Sequence, residues 1–465
     1  MHDQVLRRSP GPEMLTRALR GPVGGLIARP WFDQMALGTL AKWFFPLSRL
    51  WAAARAAGGS TTRFFDEAGV PPGAIALRRL ERTLERFEQT RHTVTQCEQR
   101  WEDLFFGPGE PPPSVLDQAE RERLAIRNSY NALRRLFGPF GLRRMVAPVK
   151  WDIPSPEFVE GVYGSAVADP EQMFGVSGQM PAVVESRRIA IGGATHHWIR
   201  FPSPAARMAD TVIARVYEPH GVSDPPTLIF GHGICVEFDH WRVMVDEIAA
   251  MVALGIRVVR PEAPWHGRRV PDGRYGGETF IATAPIGALD LFTSATQEWA
   301  VLIDWCRRTT NGPVAIGGSS LGAMTAQLVA DKAAYWPPAL RPDAMFLVTH
   351  CGRIEDAVSE GSLARVWGIA RETAAHGWTP ALIARYEPLL DPLGTPVMKP
   401  ENIVTILGRH DDVTPFSSGK ALIERWGVPR ENAFLWPRGH FSVPIGLMHD
   451  HSPLKRFRDV LTRLG

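Results

Sequence analysis

Cysteine is scarce in this sequence. The four that occur in 465 residues, Cys97, Cys235, Cys306 and Cys351, stand far apart and form no C-x-x-C pair. Such spacing argues against a disulfide framework or a zinc site and fits a reducing compartment. A dominant charge is missing as well. With 52 Lys and Arg against 49 Asp and Glu the formal balance is +3, spread without a basic tract, so nothing points to nucleic acid as a partner. Nor does any unbroken apolar run reach the roughly 18 to 20 residues of a membrane-spanning helix. The first eight residues, Met-His-Asp-Gln-Val-Leu-Arg-Arg, lack the apolar core of a secretory signal. A cytoplasmic protein is the expectation. What remains is 45% hydrophobic and 22% charged, ordinary for a globular enzyme, in a chain long enough for one large domain plus a second region.

Residues 1–180 read as a helical N-terminal region without recognisable chemistry. Between positions 31 and 51, Leu37, Leu40, Ala41 and Phe44 fall at helical spacing, crowded by Trp31, Trp43, Phe45, Leu47, Leu50 and Trp51. Arg29, Lys42, Arg49 and Arg55 flank them, and Pro46 should kink or divide the helix. Two readings stand side by side: a helix docked on the protein core, or one lying on a membrane or lipid, where Trp and basic residues suit the boundary. After a turn at Pro71-Pro72-Gly73, the residues Leu77, Leu80, Leu84, Phe87, Val94, Trp101 and Leu104 form an apolar seam broken by Arg91. Leu116, Ala119, Ile126, Tyr130, Leu133 and Phe137 form another, with Ser114 and Asp117 as a candidate capping pair. The intervening Gly-Pro-Gly-Glu-Pro-Pro-Pro linker at 107–113 predicts a helical hairpin, an accessory or homo-oligomer-forming element.

From about residue 181 the texture changes to short β-rich runs alternating with helical patterns, which implies a mostly parallel sheet with helices on both faces. Strands are expected near 188–191, 198–201, 212–217, 227–230, 256–259, 313–316, 344–348 and 403–407, with helices over 240–254, 297–307 and 324–332. Within that pattern Gly318-Ser319-Ser320-Leu321-Gly322 satisfies G-x-S-x-G, in which a serine rides a sharp strand-to-helix turn between glycines. The match is short, and its context gives it weight. An earlier strand runs into Gly231-His232-Gly233-Ile234. A later one runs into Gly408-Arg409-His410-Asp411-Asp412-Val413-Thr414-Pro415, and the last into Pro437-Arg438-Gly439-His440.

These strand-end sequences, over residues 181–465, resemble the alpha/beta-hydrolase superfamily. The resemblance implies a nucleophile, acid and base in the order Ser320, Asp411, His440, with Asp411 rather than Asp412 on the family's Gly-x-x-Asp pattern. It implies an oxyanion hole from the N–H of Leu321 and that of Ile234 or Cys235. The chemistry is consistent: a serine hydroxyl needs a base to take its proton, and a carboxylate to hold and stabilise that imidazole. His232 is read as shaping its loop together with Gly233, Cys235 as a buried wall residue, and Ser319 as the variable position of the turn, near substrate. The segment carrying Trp265, His266, Arg268 and Glu278 should shape the pocket as structural support. Residues 351–401 occupy the usual place of a cap and should cover the serine, with Trp367, Trp378 and Leu389 as apolar contacts. The expected activity is cleavage of a small-molecule carboxylic ester through an acyl-enzyme, without metal or organic cofactor. The same constellation also serves thioesterases, amidases and acyltransferases, and a non-catalytic interaction protein is the reading from another class.

Overall fold

The computed structural model describes residues 29–72, 77–176, 179–235 and 247–465, together with Gly21, Gly24 and Gly25. The charged start at residues 1–8, Gly73 of the expected turn, and residues 240–246 of the helix expected over 240–254 lie outside them.

Runs of Val, Ile, Leu and Phe four to six residues long form the sheet, because residues packed on both faces need no polar alternation. The strands are β1 (Val184–Glu185), β2 (Ile189–Ile191), β3 (Ala194–Pro202), β4 (Thr211–Pro219), β5 (Thr227–Gly231), β6 (Arg257–Pro261), β7 (Val314–Ser319), β8 (Ala344–Val348), β9 (Ile403–Gly408) and β10 (Ala433–Trp436). Their order is β1-β3-β4-β6-β5-β7-β8-β9-β10, with β2 paired to β3. From β6 to β10 every pairing is parallel, and β4 and β3 join antiparallel. The order reverses between β5 and β7, since β6 lies on one side of β5 and β7 on the other. Loops leaving the carboxyl ends of β5 and β7 therefore diverge and leave a crevice, the place where such sheets bind ligands.

The N-terminal third is helical, as its periodicity predicts. Helix α1 (Pro30–Thr39) passes through a short π-helical turn, Leu40–Phe44, into α2 (Phe45–Ala57). Pro46 cannot donate to the carbonyl of Lys42 four residues earlier, and the Arg143 guanidinium donates to that carbonyl instead at 3.1 Å. The hairpin consists of α3 (Leu77–Phe106) and α4 (Pro113–Ala132). Ser114 does not cap it. The helix begins at Pro113, whose fixed φ and missing N–H suit a first helical position, and no side chain caps the end. Two longer helices flank the sheet centre, α5 (Ile286–Thr309) and α6 (Leu321–Lys332). Helix α5 starts eleven residues before the expected 297; all of residues 286–296 are buried, the polar Asp290, Thr293, Ser294 and Thr296 included, so no solvent-facing side marks those turns.

The helical third shares its core with the rest of the chain. Phe45, Leu50, Trp51, Phe87 and Phe137 pack in one cluster with Tyr275, Ile281, Leu363 and Trp367. The hairpin seam is buried too: Trp101, Phe105 and Leu116 pack on Trp198 of β3 and Ile213 of β4. A buried ion pair fastens α2. The Arg49 guanidinium donates to both carboxylate oxygens of Glu278, at 3.0 and 3.2 Å, and to the Gly273 carbonyl at 2.6 Å; Glu278 also accepts from the N–H groups of Lys150 and Tyr275. Glu278 is thus structural support for its loop. Removing one partner leaves the other buried with only a more distant counter-charge, Arg274 at 3.7 Å from Glu278 or Glu67 at 3.8 Å from Arg49, and breaking such a buried pair costs up to about 3 to 5 kcal/mol. In urea unfolding Arg49→Ala should accordingly lower the free energy of unfolding by up to that amount, seen as a lower midpoint at unchanged slope, whereas Arg55→Ala, whose partner Asp272 is largely exposed, should cost about 1 kcal/mol or less.

Candidate active site

The turn after β7 is held by backbone contact. A Cβ on Gly318 would lie 2.3 Å from the Gly322 carbonyl carbon, and one on Gly322 would lie 2.2 Å from that of Gly231. Only glycine lets the end of β5 and the first turn of α6 approach so closely. Between them Ser320 takes φ 54° and ψ −117°, a conformation that side chains other than glycine rarely adopt, and its N–H donates to the Val348 carbonyl at 2.9 Å. The strain turns Oγ out of the sheet toward the crevice.

His440, on the loop after β10, meets it. The imidazole Nε2 lies 3.1 Å from Ser320 Oγ, and Nδ1 lies 2.8 Å from Asp411 Oδ2. Asp411, on the loop after β9, is held by three donors: the N–H groups of Val413 and Thr414 on Oδ1, and the Thr414 hydroxyl on Oδ2, each at 2.9 Å. Asp412 faces the other way and accepts from Ser362 at 3.0 Å. Burial works against protonating His440. The charge and hydrogen bond of Asp411, helped by Asp33 and Asp412, outweigh it and raise the imidazole above its ordinary pKa.

The two other histidines nearby are loop braces. His232 Nε2 accepts from the Ala263 N–H at 3.1 Å while Nδ1 donates to the Gly233 carbonyl at 2.8 Å. His266 Nε2 accepts from the Cys235 N–H at 3.2 Å while Nδ1 donates to the Pro264 carbonyl at 2.9 Å. Burial drives both toward the neutral form, His266 to about 4. With its N–H engaged by His266, Cys235 is not poised as an oxyanion donor, which leaves Ile234 as the candidate from that loop. The Leu321 N–H is in the first turn of α6, where helical N–H groups have no intrahelical partner and the helix end favours negative charge. Burial pushes the Cys235 thiol far up, so it remains protonated.

A cavity of about 310 Å³ opens beside Ser320 and His440. Its walls include His232, Gly233, Ile234, Cys235 and Ser319, and also Leu40, Phe44 and Phe45 of the N-terminal helices, with Leu363 and Phe441. The contacts expected from the cap, and Trp265 expected from the segment over 261–278, differ. Trp367 packs against the Phe45 ring at 5.0 Å, Trp378 donates from Nε1 to the Pro154 carbonyl, and Leu389 and Trp265 pack in a separate core; none of these lines the cavity. The segment over 351–401 forms five short helices and contributes Leu363 to the cavity wall. The π-helical turn and the start of α2 take up the roof, where the side chains of Leu40, Phe44 and Phe45 face the cavity. Another cavity, about 460 Å³ and lined by Arg and Glu side chains of the hairpin, holds none of the three residues.

Two polar residues at the site escape sequence reasoning. Thr349 lines the cavity at φ 48° with its hydroxyl buried. Asp33 of α1 accepts at Oδ1 from the Phe441 and Ser442 N–H groups, at 2.6 and 3.1 Å, and at Oδ2 from the Ser442 hydroxyl at 2.6 Å. One signal was available: between Arg29 and Arg55 Asp33 is the only acid.

Strand order and the three loops after β7, β9 and β10 define an alpha/beta-hydrolase fold. No family model and no curated protein matches the chain. Solved structures similar to it include an acetyl xylan esterase from Paenibacillus sp. R4, at 13% identity over 67% of this chain and 95% of that one, with a TM-score of 0.45. Acetyl xylan esterase 1 from Thermoanaerobacterium sp. JW/SL YS485 is similar at 16% identity over 66% and 96%, TM-score 0.43. A cold-adapted esterase from an Arctic intertidal metagenomic library is similar at 15% over 59% and 97%, TM-score 0.38.

The raised His440 pKa gives a direct check by NMR of ¹³C-labelled imidazoles. Asp411→Asn should move the His440 titration to lower pH, because the neutral amide no longer favours imidazolium, and should leave His266 titrating near 4.

Proposed function

We propose that the protein is a serine hydrolase that cleaves a carboxylic ester through an acyl-enzyme. The observation that carries the reading is the unbroken chain Ser320 Oγ, His440 Nε2, His440 Nδ1 and Asp411 Oδ2, at 3.1 and 2.8 Å, opening on a largely apolar cavity. His440 takes the Ser320 proton as Oγ attacks the ester carbonyl, and Asp411 holds the imidazole in the tautomer that can do so. The tetrahedral oxyanion lies against the N–H groups of Leu321 and Ile234, each such donor typically worth about 3 to 4 kcal/mol. Collapse expels the alcohol, which receives the proton from His440. Water then repeats the sequence on the acyl-enzyme and releases the acid. An ester asks least of this site, since its leaving group needs little activation; thioester cleavage, amide cleavage or acyl transfer would use the same groups.

A fluorophosphonate probe tests the reading. Wild type should label and Ser320→Ala should not; equal labelling of the two would remove the nucleophile assignment. On a p-nitrophenyl ester, Asp411→Asn should reduce kcat by about 10⁴-fold while Asp412→Asn stays within a few-fold of wild type.

One further observation favours an ester met at a lipid surface. Trp31, Met35 and Trp43 are about half exposed along the helices that roof the cavity, and Trp43 has Lys42 beside it in the chain and the Arg143 guanidinium 3.5 Å from its ring centre. No helix among the described residues is long and apolar enough to cross a membrane, so contact would be peripheral. Trp31→Ala with Trp43→Ala should weaken sedimentation with anionic liposomes and leave hydrolysis of a short soluble ester intact. Unchanged sedimentation would reject this reading.

A further inference from the structure

The N-terminal helix α1 reaches the far end of the chain through one side chain. Asp33 is 5% exposed and accepts three hydrogen bonds from Phe441 and Ser442, the two residues after His440. The Ser442 hydroxyl that donates to Asp33 also accepts from the Gly439 N–H at 2.9 Å, so the residue before His440 is tied to the same carboxylate. A Cβ on Gly439 would lie 2.4 Å from the Asp33 carboxyl carbon, which shows how closely the loop wraps it. His440 thus sits in a turn closed on both sides by a group more than 400 residues away in sequence.

We propose that Asp33 is a positioning residue for His440: it fixes the turn that aims Nε2 at Ser320, and its negative charge favours imidazolium during attack. This rests on the serine-hydrolase reading above. The arrangement explains why α1 carries a buried acid where its other charged neighbours are basic. Asp33 does not touch Ser320 or the cavity and acts through His440 alone. The charges felt at the imidazole are Asp411 on its Nδ1 side, Asp33 behind the turn and, less strongly, Asp412, which is turned toward Ser362; Arg438, two residues earlier, lies among Arg29, Asp450 and Asp33. Asp411 supplies the hydrogen bond and the larger charge effect. The contribution of Asp33 is separable because it comes from another element.

The test uses the full chain, with Ser320-dependent fluorophosphonate labelling and steady-state kinetics on a short soluble ester, each across pH. Asp33→Ala should lower kcat and the labelling rate at least tenfold with KM within about twofold, since the base is misaimed and the cavity is intact. Asp33→Asn keeps the Oδ1 acceptor and removes the charge. It should retain most of kcat, and its acid limb should move to lower pH because a base that binds its proton less tightly is neutral further down. Ser442→Ala, which cuts the link to Gly439, should fall between wild type and Asp33→Ala. Wild-type labelling rates and an unmoved acid limb in folded Asp33→Asn and Ser442→Ala would overturn the proposal, whether or not Asp33→Ala folds. Failure of the hydrolase reading looks different: Ser320→Ala would then label as well as wild type.

Discussion

The approach of two glycines, Gly231 at the end of β5 and Gly322 in the first turn of α6, is the constraint on which the site depends. The strand and the helix can meet there only without side chains, and their meeting forces the residue between β7 and α6 into a strained turn. Ser320 pays that local cost, and the packed elements on either side over-determine it. From this one contact follow the direction of the serine hydroxyl, the position of the Leu321 N–H and the crevice between the loops of β5 and β7. The acid and the base then need only reach a point already fixed.

Much of the sheet was legible because fully buried strands announce themselves as short apolar runs. The expected strand over 344–348 coincides with β8, and those over 227–230 and 403–407 fall one residue short of β5 and β9. Helices were harder where burial was complete. Every residue of 286–296 in α5 is buried, the polar Asp290, Thr293, Ser294 and Thr296 included, so the contrast of a solvent-facing and an apolar side that locates a surface helix is weak until its later turns. The hairpin was readable from its two seams and Pro-rich linker, but the first turn of α4 was not, since Pro113 supplies the start that Ser114 had seemed to offer.

The order of Ser320, Asp411 and His440, and the choice of Asp411 over Asp412, came from short strand-end motifs, and the geometry puts those three side chains together. What covers them was not legible. Trp367 and Trp378 look like pocket residues by type and by place in the chain, yet a large aromatic ring packs wherever a partner is available, and theirs are Phe45 and the Pro154 backbone. Phe44, Phe45 and Asp33 lie some 270 to 290 residues before the serine, and no local pattern encodes a meeting at that distance. Cys235 shows the same limit on a smaller scale, its N–H being claimed by His266 from the next loop.

The link from Asp33 to Ser442 joins positions 409 apart, so it spans almost the whole chain. During synthesis α1 and α2 emerge before the sheet does, with Phe45, Leu50 and Trp51 exposed long before Tyr275, Leu363 and Trp367 exist to bury them. Contacts of such range form late, since the loop they close must be ordered first. Helices α1 and α2 therefore find their seat only after the sheet and its loops have been made, and the histidine turn closes on Asp33 only once residues 439–442 are free to fold. Completion of the site thereby depends on every element from residue 33 to residue 442 being in place.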